Sequence, residues 1–274
     1  MVEPEAVKRW RSMSDPTAQP SQAQIHAPPL GYAALTPLYD AAIALLTREN
    51  VWRRRLVQAL APKVDDRILD VGSGTDSLAL AIHRSSPSST YLGIDPDADA
   101  ITRARRKATR AESSASFTKG HLTVDAAILG EHPTKIVSSL VLHQVPLEEK
   151  QRILETMFAV LKPCGTVHIA DYGQQKTRLM KGLFRATVQV LDGVSDTQSN
   201  ADGIIPKLMT AVGFDRVVEH DRIATLTGVI SLYRGIKSEE AHAKKRLEQI
   251  RNNNVMRDTQ KSSGRFPELN GGTN

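Results

Sequence analysis

The sequence predicts an α/β fold: a doubly wound, mostly parallel sheet with helices on both faces and an antiparallel hairpin at its C-terminal edge. Three observations point there. Short apolar runs alternate with amphipathic helical stretches from residue 67 to 171. The first run, Ile68-Leu69-Asp70-Val71, passes at once into Gly72-Ser73-Gly74 and then into a helical pattern. Near the C-terminus two strand-like runs, 216–220 and 223–233, lie so close together that they imply antiparallel pairing.

Residues 1–30 are rich in Pro, Ser, Gln and Ala, show little apolar periodicity, and are expected to form a disordered arm. From Tyr32 to Leu60 the pattern is helical. Leu38, Ile43, Leu45 and Leu46 form one apolar set, Leu56, Val57 and Leu60 another, and Pro62 ends the region. This reads as a helical cap ahead of the first strand, within a domain covering 31–236. Strands are expected near 67–71, 90–94, 114–118, 134–139 and 164–171. Helices are expected near 76–85, 97–111, 123–130 and 147–161. In the last of these, Ile153, Leu154, Met157, Phe158 and Leu161 share one face, and Glu148, Glu149, Lys150 and Arg152 fall mostly on the other. The turn Lys162-Pro163-Cys164-Gly165 stops it.

Beyond Gly173 the spacing changes. Residues 176–191 read as one amphipathic helix with Leu179, Leu183, Val188 and Leu191. Asp192 to Asn200 reads as a polar loop, and a further helix from Gly203 carries Ile205, Leu208, Met209 and Val212. The tail, 237–274, is charged and then rich in Asn, Gly and Ser, which predicts a helical start followed by fraying.

With 274 residues the chain can hold one large α/β domain with appendages. Aromatics are only 4%, so the core must rest on Leu, Ile, Val and Ala. No apolar stretch has transmembrane length, and the acidic start Met1-Val2-Glu3-Pro4-Glu5 is not a secretory signal, so a cytoplasmic location is expected. One cysteine, Cys164, excludes an internal disulfide and a cysteine zinc cage, and the scattered histidines have no metal-ligand spacing. The net charge of +6 comes largely from Arg53-Arg54-Arg55, Arg103 to Arg110 and Lys244-Lys245-Arg246. No aromatics are interleaved, so solvated helix faces account for most of it and nucleic-acid binding is disfavoured. Peripheral contact with a membrane stays open, as does the oligomeric state.

Gly72 and Gly74 suit a sharp strand–helix turn whose backbone comes close to a ligand, with the helix start aiming free N–H groups at it. Purely steric turns use glycine too. A second signal follows at the expected distance: Tyr91-Leu92-Gly93-Ile94-Asp95-Pro96, a short strand ending in an acid. A carboxylate about 20 residues past the glycines can accept hydrogen bonds from both ribose hydroxyls of an adenosine group. Asp95 also fits an N-cap for the helix expected from Asp97.

These residues resemble the class I S-adenosylmethionine-dependent methyltransferases, in particular the group similar to ubiquinone/menaquinone C-methyltransferases. The resemblance covers about residues 35–236. It rests on ILDVGSGT at 68–75, LGIDPD at 92–97, IVSSLVLHQVP at 136–146, LKPCGTVHIADYG at 161–173, and Val212-Gly213-Phe214 before the hairpin. It implies a Rossmann-like, seven-stranded sheet with the last strand antiparallel, and S-adenosyl-L-methionine as cofactor. It implies that Asp70, Gly72, Ser73 and Gly74 line the methionine end. Asp95 would hold the ribose and Pro96 would lie against the adenine, while Ser139 and Leu140 pass near the sulfonium. Three positions depart from the family pattern. Asp76 stands where a third glycine is usual. His121, followed by Leu122, stands where an acid commonly binds the adenine amine. Cys164 replaces a turn glycine.

Methyl transfer from a sulfonium needs alignment and exclusion of water, and a base only if the acceptor must lose a proton. His143 and Asp171 are the candidates for such work. His143 reads more readily as a helix-entry or packing residue than as a base, and Asp171 equally as a residue orienting the acceptor or as a loop cap. Tyr172 reads as a pocket wall, Tyr39 as a cover or a packing residue, and His168 as structural. The resemblance tilts the acceptor toward a small, lipophilic or quinol-like molecule. The competing readings are a methyltransferase-like binding or scaffold protein without catalysis, motivated by Asp76 and His121, and a nicotinamide-dependent oxidoreductase. The missing third glycine and the hairpin disfavour the latter.

Overall fold

Five of the expected runs become parallel strands: β1 (Arg67–Val71), β2 (Thr90–Asp95), β3 (Ser116–Lys119), β4 (Lys135–Ser139) and β5 (Thr166–Tyr172). The computed structural model describes residues 45–75, 77–123 and 132–239. The arm, Tyr39, Asp76, almost all of the helix expected at 123–130 and the tail from residue 240 lie outside the described residues. The parallel strands alternate with α1 (Glu49–Leu60), α2 (Ser77–Ser85), α3 (Ala98–Arg110) and α4 (Leu147–Val160), the last preceded by a single 3-10 turn at Leu142–Gln144. Four further helices follow: α5 (Arg178–Ala186), α6 (Val188–Asp192), α7 (Val194–Ala201) and α8 (Ile205–Val212). Strands β6 (Asp215–Thr225) and β7 (Gly228–Ile236) close the order. The seven strands form one sheet, β3-β2-β1-β4-β5-β7-β6, with β7 antiparallel to both its neighbours.

Both faces of this sheet are buried, and the period-two geometry of a strand shows how. Ile68, Val137 and Ala170 enter one core with Trp52, Leu56 and Leu60 of α1, Leu78 and Ile82 of α2, and Ile101 of α3. Their sequence neighbours Leu69, Ile136 and Ile169 enter the other, with Leu154, Met157 and Phe158 of α4 and Leu208 and Met209 of α8. The near-continuous apolar runs in sequence are the signature of strands covered on both sides.

Four expectations need correction. The hairpin turns at Leu226-Thr227, not at Asp221-Arg222. His220 and Asp221 look like a turn because they are polar, but they lie in an edge strand. There a register shift between Glu219 and Asp221 produces a bulge, a common device at sheet edges. The stretch 176–191 is two helices rather than one: Thr187 (φ −117°, ψ −76°) breaks the chain direction, and its hydroxyl bonds back to the Leu183 carbonyl. Residues 194–201 are helix α7, not loop. Its polar residues Thr197 and Asn200 are buried and spend their hydrogen bonds inside the fold. Finally, Lys150 is fully buried despite its place among charged neighbours. Its ammonium donates to the Val145 carbonyl and, at 2.6 Å, to the Asp196 carbonyl, tying α4 to α7. Desolvation holds its pKa below the usual lysine range.

Lys237, just past β7, is also buried. Its backbone pairs with Gly165 and Cys164, and its ammonium donates to the carbonyls of Leu161 (2.7 Å) and Ala159 (3.2 Å) at the C-terminal end of α4. A cation there answers both the unpaired carbonyls and the negative end of the helix dipole.

Candidate active site

The loops that follow β1 to β5 share the carboxyl edge of the sheet, where open α/β sheets bind ligands. The glycine loop and the acid of β2 are joined directly. Gly72 and Ser73 donate backbone N–H bonds to the Ile94 carbonyl at 2.8 and 3.1 Å. The Gly74 N–H reaches the Asp95 carboxylate at 2.8 Å, and the Asp97 N–H reaches its other oxygen at 2.9 Å. Each Asp95 oxygen thus keeps acceptor capacity beyond one backbone bond. The N-cap reading of Asp95 fails: α3 is capped by Asp97, whose side chain accepts from the Asp99 N–H. Pro96 is exposed beside it.

The glycines are needed on different grounds. Gly72 has φ +73°, and a Cβ there would lie 2.2 Å from Cγ2 of Val141, so the β4 loop sits against this backbone. Gly74 has φ +56° and open space where its Cβ would be, leaving its backbone bare toward a ligand. Leu140, after β4, holds the left-handed φ of 57° while its N–H pairs with the Ala170 carbonyl at 2.8 Å. That conformation turns Val141 back over Gly72. Ser139 and Leu140 are half-buried next to this contact.

Asp70 ends inside the protein with no exposure. Tyr91 donates its hydroxyl hydrogen to Oδ2 at 2.6 Å, while Oδ1 has no hydrogen-bond partner. Burial pushes this carboxyl up to about 7, against the pull of the Tyr91 bond and of the Arg53 charge. Ser73 Oγ is likewise buried without a partner. His121 is exposed and Leu122 packs on the second core, on a loop anchored where the Gly120 N–H meets the Asp95 carbonyl at 3.0 Å.

At the β4–β5 end a second cluster forms around Asp171, which is 1% exposed. Oδ2 accepts the N–H groups of Val141 (3.1 Å) and Leu142 (2.7 Å). Oδ1 accepts from the Tyr172 N–H (2.7 Å), Asn200 Nδ2 (3.3 Å) and His143 Nδ1 (2.8 Å). His143 is itself buried, with Nε2 3.6 Å from an Asp192 oxygen and its ring edge-on to Tyr172 at 4.9 Å. Asp171 is therefore more than a loop cap: it fixes the turn carrying His143 and orients the ring. Tyr172 is buried, its hydroxyl 2.8 Å from that of Thr227, and burial pushes its pKa up to about 12. His168 is structural as expected, buried in β5 with its pKa pushed down to about 3 by desolvation.

Sequence reasoning missed Tyr91, Val141, Asn200 and Asp192. Tyr91 meets Asp70 through pairing of β1 with β2, where Ile68 faces Tyr91 and Asp70 faces Gly93. That register is not written in a single sequence. Asn200 was concealed in a stretch that reads as loop.

The residues fit S-adenosylmethionine on their own chemistry. A buried carboxylate oxygen and a buried hydroxyl without partners stand at the glycine loop, suited to the cofactor's ammonium and carboxylate ends. Asp95 keeps lone pairs able to accept from hydroxyl groups, and Gly74 offers open backbone. A model of a methyltransferase domain matches residues 68–165. The chain is 27% identical over 230 residues to a ubiquinone/menaquinone biosynthesis C-methyltransferase from Syntrophotalea carbinolica, covering 74% of this chain and 91% of that one. Among solved structures, an O-methyltransferase family protein from Burkholderia thailandensis superposes with a TM-score of 0.59 at 17% identity, over 75% of this chain and 61% of that longer one. A magnesium protoporphyrin IX methyltransferase from Synechocystis PCC 6803, with bound S-adenosylhomocysteine, gives 0.55 at 16% identity, over 85% and 94%. Both structures share the fold.

Proposed function

We propose, for a chain that is a class I S-adenosylmethionine-dependent methyltransferase similar to the ubiquinone/menaquinone C-methyltransferases, that the acceptor is a small, lipophilic, quinol-like molecule and that His143 takes its hydroxyl proton. The observation that carries this reading is the buried His143–Asp171 pair at the carboxyl edge of the sheet.

When bound, the cofactor supplies a methyl group on a positively charged sulfur, a leaving group that needs no further activation. Asp70, Ser73, Gly74 and Asp95 would hold it. What the protein must add is a good nucleophile. A neutral phenol is a poor one, and loss of its proton enriches the ring carbons beside the oxygen; once such a carbon has taken the methyl, its own hydrogen leaves as a proton and the oxygen regains one, restoring the aromatic ring. Every other partner of Asp171 is an N–H group, so its carboxylate acts as acceptor and His143 Nδ1 carries the hydrogen between them. That assigns the bare lone pair to Nε2. The Asp192 oxygen, 3.6 Å away, is too far for a hydrogen bond in this geometry but near enough to stabilise the imidazolium once formed. Tyr172 and the surrounding core limit access of water.

The test uses short-chain hydroquinones as acceptors. His143→Gln and Asp171→Asn should lower kcat about 10²- to 10⁴-fold, the usual worth of a positioned base. Cofactor affinity should hold within about twofold in His143→Gln, whereas Asp171→Asn also loosens the Val141–Leu142 turn that lies against Gly72, so the base is judged on the His143 variant. Wild-type protein that binds cofactor but methylates no hydroquinone would overturn the acceptor reading. Full activity in His143→Gln would overturn the base.

A further inference from the structure

We propose that the outer face of α5, α6 and the start of α7 docks on an anionic lipid bilayer and so presents the His143 side of the site to acceptors dissolved in the membrane. Among the described residues nine large apolar side chains are exposed, and four of them fall within residues 179–194: Leu179 (67%), Val190 (74%), Leu191 (45%) and Val194 (56%). Of the other five, Leu226 lies beside the Leu45–Leu46 segment through its backbone bond to Leu46, and Val64, Leu147 and Val218 are dispersed along the chain.

The charge along α5, the first part of this face, has one sign, whereas Val194 lies between the half-buried Asp192, which is turned toward His143, and the half-buried Asp196. From Gly173 to Leu191 there are four cations, Lys176, Arg178, Lys181 and Arg185, and no acidic residue. All four are exposed, and none is ion-paired with another described residue. On α5 the side chains divide by helical angle. Phe184 is buried, Met180 and Leu183 are half-buried, Leu179 stands at the outward margin of that apolar arc, and Arg178, Lys181 and Arg185 fill the opposite arc. A cationic arc beside outward aliphatic residues is the pattern of a helix lying in a lipid interface. Helix α3 serves as contrast. It exposes Arg103, Arg106 and Arg110 with no exposed large apolar residue, which is the pattern of a solvated face.

The position of this face also counts. Asp192, which ends α6, faces His143 Nε2, and Asn200 of α7 bonds the carboxylate that holds His143. The docking face is thus the outer side of the elements that wall the base. The purpose assigned to docking rests on the lipophilic-acceptor reading, whereas the docking itself can be measured without any acceptor.

Co-sedimentation of the whole chain with vesicles is the test, comparing pure phosphatidylcholine with a mixture containing 30% phosphatidylglycerol by design. Binding should require the anionic lipid and weaken with salt. Lys181→Gln with Arg185→Gln should lower affinity about 25-fold, at about fivefold per cation. Leu179→Ser with Val190→Ser should lower it at least about tenfold. Arg103→Gln with Arg106→Gln should change it less than the α5 pair does. No binding to anionic vesicles, binding indifferent to the leucine and valine changes, or a loss confined to the α3 pair would each overturn the proposal. So would a dimer, seen by sedimentation, that Leu179→Ser dissolves, since the face would then serve a second copy. Vesicle binding with no hydroquinone methylation would sink only the acceptor reading. Methylation of dispersed hydroquinone without vesicle binding would sink only this one.

Discussion

Replacing Asp70 by Asn should make the cofactor-free protein more stable, and more so as pH rises. Asp70 is fully buried, and its pKa is raised from 3.8 to about 7, chiefly by desolvation. The folded state therefore holds this proton more tightly than the unfolded chain does. Between pH 4 and 7 the unfolded state has released it and the folded state has not, so stability falls as pH rises through that window and levels off above it. Three units at 1.36 kcal/mol each give a cost of about 4 kcal/mol at pH 8, of which somewhat less than half is already present at pH 5. Asn keeps the shape and an acceptor oxygen for the Tyr91 hydroxyl, and carries no charge to desolvate. The advantage of the variant should grow by about 2–3 kcal/mol between pH 5 and pH 8. Urea unfolding of both proteins at several pH values measures it. Cofactor binding should move the opposite way: wild-type affinity rises through pH 7 as Asp70 ionises to meet an ammonium, and the Asn variant binds weakly throughout. Parallel stability profiles for the two proteins would refute the assigned burial cost.

Asp95→Ala should weaken S-adenosylmethionine binding by roughly 2–4 kcal/mol by calorimetry, through loss of charge-assisted bonds in a partly desolvated site. Asp97→Ala, which removes the actual cap of α3, should cost about 1 kcal/mol of stability and leave affinity unchanged. Gly72→Ala should destabilise by about 1–3 kcal/mol, since its Cβ would meet Val141 and its φ is positive. Adding Val141→Ala should recover part of that loss in a double-mutant cycle, and strict additivity would show that the contact plays no role. Tyr91→Phe should raise the Asp70 pKa further and shift the rise in cofactor affinity to higher pH, read from the same titration.

What could be read in advance divides along physical lines. Strands buried on both faces announce themselves as apolar runs, so β1, β2, β4 and β5 were legible within a residue or two, as was the glycine turn with Asp95 downstream. Polar residues misled wherever they were buried or bulged. Thr197 and Asn200 make a helix look like a loop, Asp221 makes an edge strand look like a turn, and Lys150 looks solvated because one of its two carbonyl partners, Asp196, comes from distant chain. Asp70 stands out in the sequence for its place before the glycine loop, but its perturbed proton depends on complete burial and on Tyr91, which only the packed sheet reveals. His143 and Asp171 were visible singly. Their pairing needs the register of β4 with β5, where Ser139 faces Ala170.

Lys237 gives the chain a sharp trimming limit. One side chain closes the carbonyl end of α4 while its backbone pins the turn at Cys164-Gly165, so the residue works as a latch between the last strand and the centre of the sheet. A cut made just before it would release both at once. For anyone shortening this protein for crystals or fusions, the stop codon belongs beyond Lys237, since Ile236, where the last strand ends, is one residue too early.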